Sequence, residues 1–358
     1  MSYQEILTSA KNLAKLENFN LAVNERTFEL EITRIASSYK IDKTLNESLI
    51  NGVNEYLKSD LPLAFVLFFI VFTMQRRQNF GNILELVDEY EEDFAQFEII
   101  KHIRLMAVLV KLTNIQSIYR EIRRATLLLE RPNQLCDFAN HTGFINAYVS
   151  LVCKYFEYEL DARDEEENVR LLGFALNSIN HAIDLETKQH GSKELVYNKF
   201  YLNRGRLLVL LKKYNKGEDE IQNAIELLPE SADRASKVNE YNQYLVKSSI
   251  IRSYDLNEEK VRDLDKIKVS NYKSIALMTT LLGFLLGTIN IFTTITDRFT
   301  LLVLMLGYCG LLMILVGTIL IGFTLNFKER RKRIYIYDIA LILVGTLIFL
   351  FTMFYINK

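Results

Sequence analysis

Tryptophan is absent from this chain of 358 residues, and there are only three prolines, three cysteines, four histidines and fourteen glycines. Each scarcity excludes something. Cys136, Cys153 and Cys309 lie far apart, so neither a disulfide frame nor a CxxC metal pair is present, and a reducing compartment is the natural home. His102, His141, His181 and His190 show no HExxH or other metal-binding spacing, and no metal site is expected from them. No GxSxG elbow, Walker loop or dinucleotide fingerprint occurs. The sequence therefore predicts neither an enzyme nor a cofactor. Sustained strand-like alternation is missing as well, while apolar residues recur at helical spacing through about the first 260 residues, which predicts an all-α body.

One sign of charge is also in short supply. Of 43 basic and 44 acidic residues, seven and three fall from Ser274 onward, leaving the preceding body with 36 against 41. Bulk charge thus speaks against nucleic acid as a partner. The cluster Asp161, Asp164, Glu165, Glu166 and Glu167 lacks the glycine and ligand rhythm of a calcium loop and reads as a solvated loop.

What the chain has in abundance lies at its C-terminal end. Ser274 to Thr296, Phe299 to Phe327 and Ile339 to Ile356 are apolar runs, each close to or above the ~20 residues that carry a helix across a bilayer. Three transmembrane helices are expected. The segment with Lys328, Arg330, Arg331, Lys332 and Arg333 is the most basic loop and should lie on the cytoplasmic side, with a further role of contacting anionic lipid. Lys266, Lys268 and Lys273 agree by flanking the first run, so the expected topology in an inner, cytoplasmic-type membrane is body inside and Lys358 outside. The polar start Met-Ser-Tyr-Gln has no basic region followed by an apolar core, so insertion is expected to rely on these runs. A fourth apolar stretch, Leu61 to Met74, is too short to span at ~1.5 Å per residue and is expected as a buried core helix. As a span it would put the residues before it outside.

The expected domains are two N-terminal helices over 1–58, a helical body over 59–260, a juxtamembrane linker over 261–273 and a membrane domain over 274–358. Within the body, Tyr197 to Pro229 carries Gly205, Leu208, Tyr214, Gly217, Ile221, Ala224 and Pro229 at intervals that resemble a tetratricopeptide repeat. Lys212 and Gly217 depart from that pattern, the first replacing a small residue before the turn and the second an alanine. Ala175, Ile179 and Ala182 form a weaker copy, with Phe144 to Leu160 as its first helix. The resemblance implies an array of antiparallel helical hairpins with a concave groove that grips a protein or peptide, closed by a helix over Ala232 to Tyr254.

On that reading Lys199, Asn203 and Arg206, at i, i+4 and i+7, present an amide between two cations. That stripe suits a carboxylate or phosphate on a partner, although a plain solvated face has the same pattern. Cys153 sits in an apolar, aromatic helix and reads as a buried thiol. In the apolar runs Gly283 and Gly287 form a GxxxG pair, Gly307 and Gly310 add small positions for close helix packing, and Asp297 can cap the second helix. Asn290 is the strongly polar side chain of the first run and could meet another helix or line a pore. Two functions follow as expectations. The first is a membrane-anchored, cytoplasm-facing scaffold or sensor. The second is a membrane-disrupting effector of a bacterial defence or stress system, which would act as a homo-oligomer.

Overall fold

A computed structural model describes residues 3–131, 136–191, 197–230, 233–294, 297–325 and 332–356. Side chains at 270, 277, 281, 284, 285, 288–294, 319–325, 332–336, 338, 355 and 356 fall outside that description. Among the described residues the regular structure is helical throughout, as the periodicity requires. The chain divides into two compact units, Met1–Ser253 and Tyr254–Lys358.

In the first unit, α1 (Tyr3–Ala14), the short α2 (Phe19–Ala22), α3 (Arg26–Ser37) and α4 (Lys43–Tyr56) precede α5 (Leu61–Gln78). The start of α5 is capped: the Asp60 carboxylate accepts from the Leu63 N–H at 3.1 Å, and Pro62 occupies the first turn, where its missing N–H costs nothing. From Leu63 to Gln75 every residue of α5 is buried, so this run is the core helix its length implied. α1, α3, α4, α6 (Ile83–Tyr90) and α7 (Ile100–Lys111) all pack on it. Phe65 meets Phe94 and Phe97 at ring separations of 5.2 and 4.6 Å. With each large apolar side chain contributing about 2 kcal/mol on burial, this helix organises the N-terminal half.

The second half of the unit continues with α8 (Ile115–Glu130), α9 (Thr142–Tyr158), a 3-10 turn Asp161–Asp164, α10 (Glu166–His190), α11 (Asn198–Leu210) and α12 (Tyr214–Glu226). Lys154 on α9 donates to the Leu109 and Leu112 carbonyls at 3.0 and 2.7 Å, satisfying the free end of α7. α11 and α12 cross where the small residues of the repeat-like segment lie. A Cβ added at Gly205 would stand 2.7 Å from the Gly217 carbonyl, and one at Gly217 would stand 2.8 Å from that of Gly205. The hairpin is thus tight because neither glycine position has room for a side chain.

Two expectations differ from the outcome. The first 58 residues, read as two helices, hold four among those described, one of them a single turn. The segment 261–273, expected as a juxtamembrane linker, is helical: α13 is a single helix, Arg234–Thr294, of 61 residues. Neither proline nor glycine occurs between Arg234 and Thr280, so nothing in the sequence stops the helix there.

In the second unit α14 (Arg298–Leu325) starts at Asp297, whose carboxylate accepts from the Thr300 N–H at 2.8 Å, the cap the sequence proposed. α14 lies against α15 (Lys332–Ile356). Gly307 faces Thr352 while Gly310 faces Gly345 and Phe349, so the two helices run antiparallel. Of the three apolar runs, one helix among the described residues, Arg298–Thr318, is both long and apolar enough to cross a membrane, with mean hydropathy 2.5. Ile339–Phe354 is apolar but shorter, and much of Ser274 to Thr296 has side chains outside the described set.

Candidate functional site

Two buried polar centres stand out in the first unit, and the sequence pointed at one of them for a different reason. α11 was expected to offer Lys199, Asn203 and Arg206 to a partner. Lys199 is half-buried, but Asn203 and Arg206 are interior. The Arg206 guanidinium binds Glu157 on α9 at 2.7 Å and the Asn203 side-chain oxygen at 3.0 Å. Asn203 donates to the Asn146 oxygen at 2.7 Å and the Ser150 hydroxyl at 2.8 Å. Lys247 reaches the second Glu157 oxygen at 2.8 Å, and the Arg206 guanidinium stacks 4.5 Å from the Tyr244 ring.

The stripe is therefore a clamp joining α9, α11 and the first turns of α13. Burial would raise the Glu157 carboxyl, but Arg206 and Lys247 outweigh it and hold the group below the usual carboxylate range. Burial alone would lower Arg206, and Glu157 reverses that, keeping its charge firmly in place. The neighbouring Cys153 thiol is pushed by burial up to about 12, so it is inert at neutral pH, as the sequence suggested. The sequence held a sign of this clamp. Asn146, Ser150, Cys153 and Glu157 recur at i, i+4, i+7 and i+11 on the otherwise apolar α9, a polar stripe matching the one on α11.

The other centre was not foreseen. Glu29 on α3, His102 on α7 and His141, the N-cap of α9, offer donor atoms within 4.8 Å of one another, and all three are buried. His102 Nε2 lies 3.4 Å from a Glu29 oxygen, within ion-pair range but outside hydrogen-bonding geometry. Arg26 pairs with the other oxygen. The two imidazole rings stand 5.0 Å apart. Both ring nitrogens of His102 and Nε2 of His141 have no hydrogen-bond partner among the described residues.

Electrostatics fixes the state of this centre. Burial would raise the Glu29 carboxyl, yet the adjacent His102 and Arg26 hold it well below the usual range. Burial and His102 press His141 down to about 3, so its ring is neutral. His141 Nδ1 accepts the Phe144 N–H at 3.0 Å, which places the ring proton on Nε2, pointing inward. Two imidazoles and a carboxylate are a zinc-type donor set. In the present tautomer, however, His141 has no lone pair to give, and Arg26 already occupies one carboxylate oxygen. As built, the centre is a buried polar cluster to which three helices contribute, with its ion pair, Arg26–Glu29, inside α3. Sequence spacing could not reveal it, because each residue comes from a different element.

Two further features bear on function. A groove of about 420 Å³ lies among α6, α7, α8 and α9, with an apolar floor of Leu105, Leu128 and Phe144 and a rim that includes Lys101, Arg104 and Arg124. Arg104 is tied to Asp88 at 2.9 Å and to Glu91, so the rim is largely self-neutralised. In the second unit the expected small positions divide. Gly310 meets the backbone of α15, Gly307 meets Thr352 and Gly287 meets Tyr308, while Gly283 has open space beside it but accepts the Tyr308 hydroxyl on its carbonyl at 2.8 Å. The Asn290, Lys332 and Arg333 side chains, and all of Lys328, Arg330 and Arg331, lie outside the described residues.

Comparison with family models, with curated proteins and with solved structures finds no match.

Proposed function

We propose that this chain is a membrane-tethered helical scaffold or sensor whose N-terminal unit faces the cytoplasm and binds a protein or peptide. The observation carrying the tether is the surface of the second unit. Leu302, Leu306, Leu311 and Leu315 on α14, and Leu343, Leu347, Leu350 and Phe354 on α15, are exposed large apolar side chains. Water would penalise such a surface, and lipid chains would cover it. The apolar end of α13, α14 and α15 then act as three spans, with the basic segment before α15 on the cytoplasmic side. The resemblance to tetratricopeptide repeats supports the binding role. The α6–α9 groove suits it better than the α11 stripe, whose polar groups are already engaged.

The test is extraction of membranes from cells making the full chain. Resistance to alkaline carbonate with release by detergent is expected, and recovery in the soluble fraction contradicts the tether. A second reading, a membrane-disrupting effector, draws on the surplus of apolar helices over the single one an anchor needs. Loss of membrane potential on expression, read with a voltage-sensitive dye, is its signature.

A further inference from the structure

The stretch of α13 that leads into its apolar run, together with the first turns of that run, carries a seam that no described residue of the chain covers. Val261, Leu264, Ile275, Met278 and Leu282 each leave more than half of their surface exposed. They fall at alternating three- and four-residue steps once Lys268 and Asn271 are counted between them, which is the a and d rhythm of a coiled coil. Asn257 occupies the preceding d position. Inside the second unit α13 turns a different face to α14, through Ala276, Thr279, Thr280 and Gly283. The seam is therefore not the surface used for packing against the chain's own helices.

We infer that this seam pairs with that of a second copy of the chain as a parallel, two-stranded coiled coil running from about residue 257 toward the membrane. Three observations select this occupant. β-branched Val261 and Ile275 at a, with Leu264 at d, favour two strands, and polar Lys268 and Asn271 within the seam set register and number at some cost in stability. The flanking positions are complementary for a parallel pair. Lys260 at g comes opposite Asp265 at e of the second copy, a carboxylate that within one chain has only an exposed contact with Lys268 at 3.9 Å. One heptad later Ile267 meets Tyr272, both exposed apolar side chains in the single chain. Parallel orientation also follows if each copy enters the same bilayer by the end of this helix, and in that clause the inference rests on the proposed tether.

The experiment uses the full-length chain in membranes, in a Cys309→Ser background, since Cys136 and Cys153 are buried. Single cysteines are placed at the seam, Val261→Cys or Leu264→Cys, and on the outer face, Glu259→Cys or Lys266→Cys. Thiol oxidation should give covalent dimer at the two seam positions in several-fold excess over the outer ones. Equal yields at all four would overturn the inference, whether the seam then takes another protein's helix or none. The charge pairing is tested in the Val261→Cys chain. Lys260→Glu should lower the dimer yield, and adding Asp265→Lys should restore it. Failure of the double exchange to restore it contradicts parallel pairing. Carbonate extraction of the same samples reads the tether separately, so seam cross-linking of a soluble chain would retain the pairing and remove the tether.

Discussion

The first unit is held together at the residue scale by buried charges that have found partners. Arg206 and Glu157 are nearly inaccessible, and removing one leaves the other charged in a low-dielectric interior. Arg206→Ala should therefore cost about 3 kcal/mol, read as a lower unfolding midpoint in denaturant. The joint replacement Arg206→Met with Glu157→Leu should cost less than either half alone. Acid should weaken the same clamp. The folded Glu157 carboxyl lies below its usual value, so its contribution is complete above the unfolded value and is lost as pH falls through the folded one. Melting temperature should fall more steeply in the wild-type chain than in the double variant below about pH 4.5. Parallel pH profiles would contradict the assignment. Glu29→Gln removes the anion that Arg26 holds, and a loss of about 3 kcal/mol is expected there too. Little of this was legible in the sequence. The i, i+4, i+7 spacing on α11 marked polar residues on one helix face, but whether that face meets solvent or another helix depends on a partner element some fifty residues away.

Elements were read more successfully, since helices follow from local periodicity. α5, α9, α11 and α12 fall where the apolar spacing and turn residues put them, and the small residues of the α11–α12 hairpin act as spacers. This gives a contrast between glycines. Gly205→Val would drive a branched side chain into the Gly217 carbonyl and Ile221, and should destabilise by about 2 kcal/mol or more. Gly173→Ala, on α10 with nothing within 4 Å, should be neutral or stabilising by up to ~1 kcal/mol. Thermal melts of the two variants check both; equal losses would mean that the close crossing is not what Gly205 serves. The expected linker over 261–273 is helical for a simple reason: a charged segment without proline or glycine remains helical when helix adjoins it on both sides, and α13 runs straight through.

For the whole molecule, composition separated a charged helical body from an apolar C-terminal end, and the structure divides the chain near that place, at Ser253. The function built on this division joins a folded, core-bearing unit to helices whose apolar surface has no cover among the described residues. The proposed self-pairing seam on α13 belongs to the second unit. Long-range centres such as Glu29, His102 and His141 were illegible because only the fold brings them together.

The most direct measurement of the membrane-tethered, cytoplasm-facing arrangement is labelling by a membrane-impermeant maleimide in bacterial spheroplasts. It compares Lys358→Cys with Glu166→Cys, both in the Cys309→Ser background. The account predicts that the cysteine at 358 reacts in intact spheroplasts and the one at 166 reacts only after lysis. Labelling of both sites only after lysis, with the chain in the soluble fraction, would contradict it.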